Sequence, residues 1–157
     1  MSDTGLQNLD SAIHTFQRWL KDVHEKLGWE DRRKSYKAFS VVLHALRDRL
    51  TVAQSAHLSA QLPLIARGIY YDGFVPARMP SRERHLDQFL DHIRDGFDQA
   101  PGGQLIDAER LARAVFEVLN DHVSAGEIED VRGELPTEIA RIWPSPAANG
   151  GQRPQSR

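Results

Sequence analysis

The stretch LRDRLTVAQSAHLSAQLP at residues 46–63 returns, place by place and without a gap, as LNDHVSAGEIEDVRGELP at residues 119–136. The same shift of 73 residues that aligns Leu46 with Leu119 also aligns Phe16 with Phe89 and Tyr70 with Trp143. Apolar residues, a hydroxyl residue and a final Leu-Pro pair coincide in the two stretches. A coincidence at so many structurally distinct positions indicates one supersecondary unit that is present twice.

Each of the two stretches contains the signals that begin and end a helix. Thr51 and Ser124 are each followed, three residues later, by a glutamine or glutamate, which is the capping-box pattern of a helix start. Pro63 and Pro136 close the stretches, and proline has no amide hydrogen with which to continue a helix. The sequence therefore predicts one short helix in each stretch, with a further short helix after each proline.

Apolar residues spaced three and four apart predict helices around these stretches. The predicted order is a first helix from Leu6 to Leu27 closed by Gly28, a second capped by Asp31, a third from Thr51 to Leu62, a fourth from Leu64 to Tyr71, a fifth capped by Ser81, a turn at residues 100–103, a sixth capped by Asp107, a seventh from Ser124, and an eighth ending at Trp143. We expect an all-α protein of about eight helices.

The duplication sets the predicted domain organisation. Residues 1–73 form the first helical repeat, residues 74–81 a linker, residues 82–143 the second repeat, and residues 144–157 a disordered tail rich in proline, glycine and serine. A unit of about seventy residues buries only a marginal core. We therefore expect the two four-helix repeats to pack together as one compact bundle with pseudo-twofold character.

Composition excludes several classes of protein. The chain of 157 residues has no cysteine and a formal charge of −2, with no apolar run long enough to cross a membrane. A mildly acidic protein matches DNA or an anionic membrane poorly, so we expect no membrane association and regard nucleic acid as an improbable partner. The acidic N-terminus lacks the apolar core of a secretory signal, which favours a cytoplasmic location.

The quoted stretch, together with YYDGFVP at residues 70–76, resembles a bacterial family of two-repeat helical proteins known only as a domain of unknown function. The resemblance covers roughly Phe16 to Trp143. Its marks here are Asp48, Arg49, Leu50, Thr51, Gln61, Leu62, Pro63, Tyr70, Gly73 and Pro76, with Asp121, Ser124, Leu135 and Pro136 in the second copy. The resemblance implies a helical fold and a bacterial, intracellular setting, and it implies no reaction.

The chain departs from that pattern at three places. His122 stands opposite Arg49, and Glu134 stands opposite Gln61. Phe74 occupies a position where the resemblance leads us to expect tryptophan.

The candidate functional residues are few. Asp48 and Asp121 occupy equivalent places between helices, where a carboxylate can accept backbone N–H groups, so we interpret them as structural caps together with Thr51 and Ser124. The seven histidines lack the close spacing of zinc ligands, so we predict neither metal nor cofactor.

The aromatic turn after the fourth helix is the most plausible interaction surface, and Tyr71, Asp72 and Phe74 are its predicted members. No catalytic motif is present, which favours a protein without enzymatic activity. The leading hypothesis is a protein-interaction or adaptor module. The alternatives are a helical bundle that binds a small ligand or cofactor, and a weak nucleic-acid-binding protein. The oligomeric state stays open.

Overall fold

The computed structural model describes residues 3–97 and 106–146, and within those ranges the chain forms eight α-helices and no strand. The helices are α1 (Gln7–Leu27), α2 (Arg32–Asp48), α3 (Val52–Ser59), α4 (Leu64–Tyr71), α5 (Leu86–Phe97), α6 (Ala108–His122), α7 (Ala125–Glu134) and α8 (Thr137–Ala140). The prediction of an all-helical fold is confirmed. The predicted turn at residues 100–103 and the tail from residue 147 onward lie outside the described residues.

The first four helices and the last four interlock through each other's apolar faces. Helix α1 packs on α2, α4 and α6, while α5 packs on α6, α8 and α2. Two further pairs, α2 with α6 and α3 with α7, join the two sets directly. One continuous apolar core results, and it includes the fully buried Phe39, Leu46, Phe89, Phe116 and Leu119. None of the described helices is long and apolar enough to span a membrane.

Most helix ends follow the local signals in the sequence. Gly28 ends α1 in the left-handed conformation at a φ of 70°, which residues with a side chain rarely adopt. The side chains of Asp31 and Asp107 accept backbone N–H groups at the starts of α2 and α6, as predicted. Leu6 differs from expectation, because it precedes the first turn of α1 and is 59% exposed beyond the reach of the core.

Only half of the predicted capping box at α3 forms within its own helix. The Thr51 hydroxyl accepts the N–H of Gln54 at 3.1 Å, as predicted. The N–H of Thr51 donates instead to Glu134 at the end of α7, at 3.2 Å, and the Thr51 hydroxyl donates to the same carboxylate. The Gln54 side chain donates to Glu127 on α7 at 2.7 Å. The cap of α3 is thus completed by α7.

The start of α7 shows the same exchange in the opposite direction. The Ser124 hydroxyl accepts the N–H of Glu127 at 3.2 Å. The N–H of Ser124 donates to the side-chain oxygen of Gln61, at 2.9 Å, and the Gln61 amide donates back to the Ser124 hydroxyl. At the start of each short helix, one amide N–H therefore finds its hydrogen-bond acceptor in the segment at the end of the other short helix.

The start of α5 was predicted wrongly. Ser81 does not cap a helix at that position; its hydroxyl accepts the N–H of Glu83, and α5 begins five residues later, at Leu86. The N–H of Leu86 donates at 2.8 Å to Glu138 of α8. A distant carboxylate therefore provides the cap that the sequence assigned to a local serine.

Asp48 and Asp121 lie at or near helix ends as expected but do not act as caps. Asp48 accepts the Arg47 Nε at 2.9 Å, and Asp121 lies 3.4 Å from the Lys26 ammonium. No backbone amide among the described residues donates to either carboxylate. Both side chains pair with cations, whereas amides at the following helix starts donate to other side chains.

We expect Glu134→Ala to lower the free energy of unfolding by about 1 kcal/mol, because it leaves the Thr51 amide without its acceptor. Glu134→Gln keeps one acceptor oxygen and should lose less. Urea unfolding followed by circular dichroism measures both changes. Glu129→Ala removes an exposed glutamate from the same helix and serves as the control. Equal stability of the Glu134 and Glu129 variants would contradict the role of Glu134 in capping α3.

Candidate functional site

A polar cleft of about 190 Å³ opens where the end of α2, the segment after α4 and the exposed side of α5 meet. Its lining residues are Asp48, Arg49, Gly73, Val75, Arg78, Ser81, Glu83 and His92. We call it the Arg49 cleft. A cavity of roughly 150 Å³ already admits a molecule as large as benzene, so this cleft can admit a small organic molecule.

Arg47 holds the wall of the cleft in place. This buried guanidinium donates to the backbone carbonyls of Tyr70 at 2.7 Å and Asp72 at 2.8 Å, with Gly73 more distant at 3.4 Å. Its Nε donates to Asp48 at 2.9 Å. Arg47 thus satisfies the carbonyl groups left open at the end of α4 and ties the following segment to α2.

Arg49 lies at the base of the cleft with a side chain that is 0% exposed. Its Nη1 donates to the Ala45 carbonyl at 3.1 Å and to the His92 Nδ1 at 2.8 Å, and the guanidinium lies 5.3 Å from the Phe89 ring centroid. Its Nε has no hydrogen-bond partner. Burial lowers the pKa of Arg49, which is the sign of a charge that has lost solvation.

Glu83 covers the buried guanidinium from the solvent side. One carboxylate oxygen lies 3.4 Å from the Arg49 Nη2, and the Glu83 side chain is 61% exposed. This distance is long for a charge-assisted hydrogen bond, in which donor and acceptor are ordinarily about 2.8 Å apart. Arg49 is therefore only loosely compensated by an exposed carboxylate, although a buried charge requires close pairing.

His92 is the polar neighbour whose protonation state follows from the geometry. A guanidinium can only donate, so the Nδ1 of His92 accepts from Arg49 and the ring proton lies on Nε2. Burial, with a further contribution from the Arg49 charge, lowers the pKa of His92. The Ser81 hydroxyl, which accepts the N–H of Glu83, keeps its own hydrogen for a further acceptor. The cleft thus presents donors from Arg78, Ser81 and His92 above Arg49.

The two residues that correspond by sequence to Arg49 and His92 also lie close to each other. The shift that relates the two halves carries Arg49 onto His122 and Trp19 onto His92. The rings of Trp19 and His122 stack with centroids 4.5 Å apart, and the His122 Nε2 lies 2.7 Å from the Asp22 carboxylate. By this sequence correspondence the Trp19 indole stands beside His122 as the His92 imidazole stands beside Arg49.

The predicted interaction surface borders the Arg49 cleft. The Tyr71 hydroxyl is hydrogen-bonded to Ser59 at 2.7 Å, and its ring meets Phe74 edge-on with centroids 5.1 Å apart. Both rings are half-buried, while Asp72 is exposed and its carbonyl accepts from Arg47. The structure thus brings Tyr71 and Phe74 together and leaves Asp72 at the surface.

The sequence did not single out Arg49, Glu83 or His92 as a site. One signal was available: Arg49 follows the buried Leu46 by three residues and Val42 by seven, a spacing that places it on the apolar side of the predicted second helix. The partners of Arg49 lie 34 and 43 residues away, beyond any local pattern. Within residues 3–97 and 106–146, no group of three or more histidines and carboxylates is placed to hold a metal ion.

The lowered pKa of His92 predicts a pH dependence of stability. Between the ordinary histidine pKa and the lowered value in the folded protein, the unfolded chain binds a proton that the folded chain does not. The free energy of unfolding should therefore fall as the pH decreases from about 7.5 to about 5.5. Urea midpoints across this range should vary less in His92→Gln, while His14→Gln, an exposed control on α1, should follow the parent chain. An unchanged pH slope in His92→Gln would contradict this assignment.

The sequence of this chain matches a family that is described as uncharacterized. The family described as "Uncharacterized conserved protein (DUF2267)" matches residues 16–142, which include all eight helices except the first turns of α1. Among curated proteins, none matches the chain. Because the match covers most of the sequence and almost all of the described core, the chain belongs to the DUF2267 family.

Proposed function

We propose that this protein binds a small anionic ligand in the Arg49 cleft and acts without catalysis. The observation that carries the proposal is the buried guanidinium of Arg49, whose Nε has no partner and whose carboxylate neighbour is distant and exposed. A fully desolvated charge with an open donor is costly for a merely structural arginine. An anion in the cleft would supply the missing acceptor.

The balance of charge around the cleft favours an anion. Asp48 is engaged by Arg47 at 2.9 Å, so its charge is largely compensated. Arg49 and Arg78 then face a single further carboxylate, Glu83. Within the described part of the chain, the Arg78 guanidinium has no ion-pair partner, and its side chain is exposed at the mouth of the cleft. The uncompensated charge of the lining is therefore positive.

We also infer that the two halves are copies of one unit arranged about a pseudo-twofold axis. The reciprocal caps of α3 and α7 support this arrangement, as does the hydrogen bond between Gln54 and Glu127, which occupy equivalent places in the two halves. On this view the pair Trp19–His122 and the pair His92–Arg49 descend from the same two positions. The pair that lines the cleft is the one that has a ligand-binding role.

A protein-interaction role at Tyr71, Asp72 and Phe74 is the second proposal. It is supported by the exposure of Asp72 and by Val75, a large apolar residue exposed next to this turn. It ranks below ligand binding because Tyr71 and Phe74 are engaged with each other and with Ser59. Nucleic-acid binding has little support from a chain with a formal charge of −2. The bacterial and cytoplasmic setting stays a prediction.

Titration of the labelled protein with acetate and with inorganic phosphate, followed by NMR, tests the proposed function. We expect amide shifts concentrated at residues 72–92, which form the wall and the mouth of the cleft. Arg78→Gln should weaken binding by about fivefold, the effect of removing one partly exposed charge. Arg33→Gln, an almost fully exposed arginine on α2, is the matched control and should leave the affinity unchanged. Scattered shifts that ignore the cleft, or equal affinities for the two variants, would overturn the proposal.

A further inference from the structure

The hydrogen-bonding groups of Arg49 are only partly used. Both hydrogens of Nη1 are directed to acceptors, namely the Ala45 carbonyl and the Nδ1 of His92. The remaining edge of the guanidinium is formed by Nε and Nη2, two parallel donors with the spacing of the two oxygens of a carboxylate. On this edge Nε has no partner, and Nη2 meets one oxygen of Glu83 at 3.4 Å.

Glu83 is a carboxylate, the group that matches this edge of the guanidinium, but it pairs with the edge only weakly. It places a single oxygen on a site built for two, and its side chain stays mostly in solvent. Exposed ion pairs of this geometry contribute about 1 kcal/mol or less, so Glu83 can be displaced at small cost. Its displacement would open a path from the cleft to Arg49, whose side chain is otherwise fully covered.

We propose that Glu83 stands in for the carboxylate of a small carboxylic acid, which displaces it and binds both Nε and Nη2 of Arg49. This inference rests on the proposed function, and it adds the chemical class of the ligand and an internal competitor for its site. The volume of about 190 Å³ limits the ligand to a short chain. Ser81 and His92 line the same cleft and carry hydrogen-bond donors that suit a polar substituent of the ligand.

The remaining acid of the cleft favours a carboxylate over a phosphate. Glu83 stays near the mouth after displacement, because its backbone N–H is held by Ser81, whereas the charge of Asp48 is compensated by Arg47. A phosphate monoester carries a second negative charge at neutral pH and would be repelled by Glu83. A monocarboxylate carries one charge and has the planar shape that matches the single open edge of Arg49.

Isothermal titration of the full chain with acetate and with inorganic phosphate tests this inference. The variant Glu83→Ala removes the competitor and should bind acetate about fivefold more tightly than the parent chain, the effect expected from loss of an exposed ion pair. Asp87→Ala removes an equal charge from an exposed acid in the first turn of α5 and should leave the affinity unchanged. In the NMR spectrum of Glu83→Ala, addition of acetate should also shift the side-chain Nε–H resonance of Arg49.

The possible outcomes separate the two proposals. If the parent chain binds anions at the cleft but Glu83→Ala binds acetate no better than Asp87→Ala does, the competitor role of Glu83 is wrong and the proposed function stands. Tighter binding of phosphate than of acetate by Glu83→Ala would overturn the carboxylate class. If neither anion binds the parent chain or Glu83→Ala, the proposed function itself fails.

Discussion

The structure depends on the fact that neither set of four helices covers its own apolar surface. Helix α1 needs α6, and α5 needs α2, so the core closes only when both sets are present. The short helices α3 and α7 also depend on each other, through hydrogen bonds. The start of each one donates an N–H to a side chain at or just after the C-terminal end of the other. Short helices have little stability of their own, so this exchange ties their formation to the assembly of the whole bundle.

The Arg49 cleft is a consequence of this interlocking. The chain leaves α4 beside the end of α2 and has to pass over it to reach the start of α5. Arg47 draws the first part of that passage onto α2, and the Ser81 N–H donates to the Asp48 carbonyl at 2.6 Å, so both parts of the passage line the Arg49 cleft. After α8 the chain continues from Trp143 to Pro144, and both residues are hydrogen-bonded to Asn120, while Trp19 stacks on His122.

Local sequence signals predicted most of the helices correctly. They did not predict the hydrogen-bond partners that helix ends find on other helices. Thr51, Ser124, Asp31 and Asp107 cap helices as expected, because a cap joins atoms two or three residues apart. The prediction for Ser81 failed because α5 begins five residues later, at Leu86, whose N–H donates to Glu138 of α8. The candidate site was found only in part: the turn after α4 was singled out, but the buried arginine beside it was not.

The sequence by itself determined the helical class, the positions of most helix ends and the resemblance between the two halves. These properties are encoded in the spacing of apolar residues and in contacts within one helical turn. Only the tertiary structure decided that Arg49 is buried, that His92 and Glu83 meet it, and that Trp19 stacks on His122. The physical reason is that burial and charge pairing belong to the assembled helices, whose contacts join residues far apart in the chain.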